Sequence, residues 1–98
     1  MTRIVWTEPA VSDLNSIHAY IARDAEVYAD AVTSEIFDAI DQLAHFPQSG
    51  RVVPEVNDKN TREIIVGNYR VIYDISGETV RILSLLHAAR LFSKLKSR

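Results

Sequence analysis

Two arginines and a histidine, Arg70, Arg81 and His87, are the residues of this 98-residue chain whose types and spacing bear on chemistry. They lie where apolar and polar residues alternate, and alternation by two puts all three on one predicted sheet face. Ile65, Ile72, Leu83 and Leu85 share that face, and a row of aliphatics beside cations marks a surface that something else covers. Taken singly, Arg62, Arg70 and Arg81 read as strand arginines that pair with Glu63 and Asp74 or stack on tyrosines, and such pairs contribute little. Together with His87 and the aliphatics they make a partner surface. Metal chemistry is not expected, and no cofactor is called for: there are no cysteines, and the three histidines stand far apart without ligand spacing.

The charge is unevenly spread. Residues 1–50 hold Arg3 and Arg23 against eight acids, a net of −6, whereas residues 51–98 hold nine lysines or arginines against five acids, a net of +4. The basic half has the sign to meet phosphate or an acidic protein. A hydrophobic content of 47% with 24% charged residues fits one globular domain spanning 1–98 and excludes a disordered chain. No apolar run approaches the roughly 20 residues of a membrane span, and a basic-then-apolar leader is lacking, so a cytoplasmic address is expected.

The elements that must position these residues begin with a predicted three-stranded meander, Arg62–Val66, Tyr69–Ile75 and Thr79–His87. Gly67-Asn68 has glycine at the first central position of a type II′ turn, and Ser76-Gly77 marks the second reversal. A two-residue loop at 67 and 68 sets Val66 opposite Tyr69, Ile64 opposite Val71 and Arg62 opposite Tyr73. One face then carries Ile64, Val66, Tyr69, Val71, Tyr73 and Ile75; an even second loop adds Val80, Ile82, Ser84 and Leu86. This is the expected core side, with Tyr69 and Tyr73 as packing residues. The other face holds Ile65, Arg70, Ile72, Asp74, Arg81, Leu83, Leu85 and His87, with Asp74 read as a turn former.

Before the meander, Thr2–Thr7 reads as a first strand joining the same sheet, with Trp6 in the core. Thr7-Glu8-Pro9 is a helix start: a capping hydroxyl, an acid at the positive end of the dipole and a proline where no N–H is needed. Leu14, Ile17, His18 and Ile21 form one stripe of the first helix, to about Arg23, with His18 a packed or edge histidine. A second helix from Val27 to Phe46 keeps Ala29, Val32, Ile36, Ile40 and Leu43 on one side, and the short joint at 24–26 forces an antiparallel hairpin. Gln48–Asn60 is a loop with a short extended piece at Arg51–Val53. Ala88–Arg98 has the spacing of a short amphipathic helix or else forms a basic tail. The fold expected is α+β, β-α-α-β-β-β, with an antiparallel sheet packed on a helical hairpin.

Four pieces in this order, WTEPAVSDL after the first strand, FPQSGR at the end of the second helix, GNYRVIYDI and VRILSLLHAAR, resemble the RelE/ParE toxin superfamily over nearly the whole chain. The resemblance implies a growth-inhibiting toxin of a type II toxin–antitoxin system, of the kind that serves plasmid stabilization, held in a hetero-oligomer by a cognate antitoxin. RelE-like members cleave messenger RNA on the ribosome, whereas ParE-like members poison DNA gyrase without cutting RNA.

Metal-independent RNA cleavage needs a base for the 2′-hydroxyl, cations for the phosphorane charge and an acid for the leaving oxygen. If the chain is an endoribonuclease, the resemblance implies that work for Arg70, and for His87 as general acid or base, and Arg81 joins them from the same predicted face. Nuclease members carry several lysines in the loop before the second strand and a terminal tyrosine or histidine. Here the loop offers Arg51 and Lys59, and the C-terminal stretch HAARLFSKLKSR holds no tyrosine. The closing LLHAAR resembles ParE-like members instead, so the expected action is binding of gyrase rather than catalysis, with the ribosome and mRNA as the alternative target. The partner-binding set expected is Ile65, Arg70, Ile72, Arg81, Leu83, Leu85, His87, Arg90, Leu91 and Phe92.

Overall fold

The computed structural model describes residues 2–92. Strand β1 (Arg3–Trp6) leads into helices α1 (Glu8–Ala22) and α2 (Glu26–Gln42), then β2 (Arg51–Val52), β3 (Thr61–Val66), β4 (Tyr69–Ser76) and β5 (Thr79–His87). All five strands form one sheet in the order β1-β5-β4-β3-β2. Neighbours are antiparallel except β1, which joins β5 in parallel with Ile4 beside Val80.

Thr7 begins α1 as expected: its hydroxyl donates to the Ile82 carbonyl at 2.7 Å and accepts from the Ala10 amide at 3.4 Å. One side chain thus caps the helix and ties its start to β5. Helix α2 ends at Gln42 rather than Phe46. The amides of Leu43, Ala44 and His45 bond carbonyls three residues back, and the Ala44 carbonyl accepts from Thr2, so the last turn tightens and turns toward β1 before Pro47.

The first turn is as its glycine requires, with Gly67 at φ 59° and Asn68 outside the positive-φ region, and the β3–β4 register is the predicted one. The second loop is Gly77-Glu78, which is even, so Val80 and Ile82 reach the helix side beside Val71 and Tyr73. Ala10, Leu14, Ile36, Ile40 and Leu43 close that core from the hairpin, with Trp6 half-buried against Phe37 at 5.5 Å.

A bulge then overturns part of the prediction. Ile72 pairs with Ser84 but Tyr73 with Ile82, leaving Leu83 as an extra residue in β5. Beyond it the alternation is inverted: Leu85 lies in the helix-side core and Leu86 on the far side, the reverse of the expected placement. His87 follows Leu85 onto the helix side.

The far face is not uncovered either. Ile72 and Leu83 are buried in a second, smaller core with Val53 and Phe92, flanked by Val56 and Leu86. The segments after β2 and after β5 fold over this face, because a sheet with aliphatics on both sides needs both covered. The described residues 88–92 form turns and no helix, and the rest of the expected C-terminal helix lies outside the described residues.

Candidate functional site

On the far face, the centre of the sheet is an ion-pair network. Ile65 sits opposite Arg70 and Glu63 opposite Ile72, so Glu63 and Arg70 meet diagonally. Arg70 donates from Nε to Glu63 Oε1 at 2.5 Å and from Nη1 and Nη2 to the two oxygens of Glu55 at 2.6 and 3.0 Å. Nη1 also donates to the Arg90 carbonyl at 2.6 Å. The second oxygen of Glu63 accepts from Arg51, and the Phe92 amide donates to Glu55 Oε2 at 2.9 Å. Glu63 is fully buried and Arg70 nearly so.

The Arg70 guanidinium is held still more firmly protonated, first by its hydrogen bonds to Glu55. The same bonds, helped by the Phe92 amide, pull the Glu55 carboxyl from 4.5 down to about 2. A lowered native value stabilises the fold above the unfolded value and is lost as pH falls through the native one. Thermal melts are therefore expected to lose stability progressively between about pH 4.5 and 2, with Glu55→Gln flattening that part of the profile; an unchanged profile would exclude Glu55 as the group responsible.

Arg81 lies along the same face, half-exposed, and holds Asp74 through Nε at 3.0 Å and Nη2 at 2.6 Å. Asp74 is thus a mid-strand cross-strand partner and not a turn former. Arg62 binds backbone carbonyls of Lys59, Gln48 and Gly50 rather than a carboxylate. The pairing read for each arginine singly holds for Arg70 with Glu63 and for Arg81 with Asp74.

The expected triad of Arg70, Arg81 and His87 is not assembled. The bulge sends His87 to the helix side, where its ring meets Tyr69 edge-on at 6.0 Å. There it lines a cleft of about 400 Å³ with Ile17, Tyr20, Tyr69, Leu85 and Arg90. His87 Nδ1 accepts from the Ala89 amide at 3.2 Å, and the Arg90 amide donates to the His87 carbonyl at 2.9 Å. Of the expected partner set, Arg70, Ile72, Leu83, Leu85 and Phe92 are buried, whereas Ile65, Arg81, His87, Arg90 and Leu91 are exposed.

Sequence reasoning missed Glu55, Asp13 and Tyr20. Glu55 comes from an irregular segment, so no periodicity points to it. Asp13 accepts from Ser84 Oγ at 3.1 Å and from the Leu85 amide at 3.0 Å, groups that the bulge turns toward α1. Among the described residues, no group of three histidines, cysteines, aspartates or glutamates is placed to hold a metal ion, and no helix is long and apolar enough to cross a membrane.

A sequence profile described as the ParE toxin of the type II toxin–antitoxin system parDE matches residues 4–92. The chain is 33% identical over 92 residues to Toxin RelE2 of Caulobacter vibrioides, spanning 93% of this chain and 100% of that protein. With Y4kP of Sinorhizobium fredii it shares 40% identity over 88 residues, 88% of each chain. Among solved structures, a chain of the chromosomal ParDE toxin–antitoxin system of P. aeruginosa superposes with a TM-score of 0.76 at 18% identity, covering 89% of this chain and 96% of that one. At that identity the likeness speaks to fold alone.

Proposed function

This chain belongs to the ParE toxin family of type II toxin–antitoxin systems, and we propose that it inhibits DNA gyrase by binding and is neutralised by a cognate antitoxin. The observation that carries the choice of target is the separation of the three groups a metal-independent RNase requires. Arg70 spends its donors on two carboxylates and a carbonyl, Arg81 is clamped by Asp74, and His87 faces the opposite side of the sheet. A guanidinium that already gives four hydrogen bonds, to two carboxylates and a carbonyl, has little left to offer a phosphorane. Fold alone does not choose a target, and these side chains are what favours one.

Binding a large protein asks for less. It needs exposed side chains on a rigid frame, and His87, Arg90, Arg81, Ile65 and Leu91 supply them. The antitoxin reading is supported by the family, whose members are toxins of type II toxin–antitoxin systems.

Expression without antitoxin is expected to give filamentous cells and a DNA-damage response while transcripts remain intact. His87→Ala is expected to weaken toxicity only in part, since one contact among many is lost. Fragmented transcripts with intact DNA, abolished by His87→Ala, would overturn gyrase as the target in favour of ribosome-dependent mRNA cleavage.

A further inference from the structure

The two edges of the sheet are finished differently. β2 is two residues long and runs on toward Pro54, so it offers little to another strand. β1, at the other edge, has neither a proline nor a bulge within it. Arg3 and Thr7 turn their amides inward, to the Glu78 and Ile82 carbonyls at 2.8 and 3.1 Å. Alternation then points the amides and carbonyls of Ile4 and Trp6 outward, and among the described residues no strand lies beyond them.

The open stretch is short and closed at both ends. The Thr2 amide is spent on the Ala44 carbonyl at 3.0 Å, and the chain enters α1 at Glu8. A long partner strand would run into Ala44; a strand that leaves the sheet after Thr7, as β1 itself does, fits the gap. Beside the edge, Trp6 lines a cleft of about 560 Å³ with Val11 and Ser12. Val11 and the Phe37 ring packed against Trp6 are 44% and 46% exposed, so an apolar patch flanks the unpaired backbone.

We propose that β1 pairs antiparallel with β1 of a second copy about a two-fold axis at Val5, Ile4 of each copy opposite Trp6 of the other, so that the two sheets become one. The backbone selects this register. Setting Ile4 opposite Ile4 would need the Thr2 amide, which Ala44 already holds, and setting Trp6 opposite Trp6 would need Glu8, which is helical. With Ile4 opposite Trp6, every outward amide and carbonyl of both residues finds a partner, and the residues alongside, Arg3 to Thr7, are extended in both copies. The same register brings the exposed Arg3 of each copy to the Thr7–Glu8 corner of the other, where the exposed charge is of opposite sign. The pairing is independent of the toxin's target.

Sedimentation of the folded chain is expected to show a monomer–dimer equilibrium, with dimer rising between about 10 µM and 1 mM as a small interface dictates. Over the same range the Ile4 and Trp6 amides are expected to gain protection from hydrogen exchange. Val5 lies on the axis, so Val5→Lys and Val5→Glu each place like charges directly opposite and are expected to weaken dimerisation by about fivefold or more. Mixing the two variants is expected to restore pairing, which a variant damaged in its fold would not do. A chain that stays monomeric at 1 mM, or variants that dimerise alone as well as they do mixed, would overturn the edge pairing. Ile4 and Trp6 amides that become protected only on adding the antitoxin would overturn the second copy as occupant. The exchange measurement needs no variant, so the proposal stays open to refutation even if both substitutions fail to fold.

Discussion

Arg70→Ala is expected to lower the unfolding free energy by roughly 3–5 kcal/mol, the cost of stripping a buried charge from its partners. The substitution leaves Glu63, which is fully buried, with Arg51 alone, and removes both guanidinium bonds from Glu55. It also frees the Arg90 carbonyl, and with it the packing of Phe92 over Ile72 and Leu83. Lysine is no substitute, since a single ammonium does not span two carboxylates and a carbonyl. A urea titration with the slope held constant reads the loss directly, and a change below about 1 kcal/mol would mean that the network is hydrated in solution. Replacing Arg70 and Glu63 together with apolar residues of similar volume is expected to recover much of the stability, because desolvation then has no charge to act on. The prediction bears on function as well: toxicity lost in Arg70→Ala is expected to return in a variant that restores the fold without the charge, which a catalytic arginine would not allow.

Tyr73→Ala is the second large effect, expected at roughly 3–5 kcal/mol. The side chain is fully buried between the sheet and the hairpin, and its hydroxyl donates to the Pro47 carbonyl at 2.8 Å and accepts from the Gly50 amide at 3.0 Å. Burial raises the phenol pKa, which keeps the donor proton in place. The same hydroxyl would stand 2.5 Å from a Cβ at position 50, so glycine there follows from the close approach of Tyr73 and the Glu63 carbonyl. Tyr73→Phe separates the two contributions: packing survives while the Pro47 and Gly50 groups lose a partner, at about 1–3 kcal/mol. If alanine and phenylalanine cost the same in a denaturant titration, the hydroxyl and not the ring holds the loop to the sheet.

Local chemistry was legible in the sequence because it is written in neighbouring residues. Thr7-Glu8-Pro9 announced the start of α1, and Gly67-Asn68 announced a two-residue turn whose geometry fixes the β3–β4 register pair by pair. The stripes Leu14–Ile17 and Ala29–Leu43 located the buried sides of the helices, since periodicity depends on the residues of one element alone. The family resemblance was also readable, because the order of such elements survives as a string of short motifs.

The site was decided elsewhere. The extra residue at Leu83 carries no glycine or proline to mark it, yet it inverts the side chains from Leu85 onward and parts His87 from Arg70 and Arg81. The arginines looked free in sequence because Glu55, which takes up Arg70, comes from an irregular loop 15 residues away. The aliphatics Ile72 and Leu83 looked uncovered because Val53 and Phe92 reach them from separate segments of the chain. Periodicity assigns a residue to a face; whether that face meets water, a carboxylate or another part of the chain depends on contacts between distant residues, and those exist only once the chain has folded.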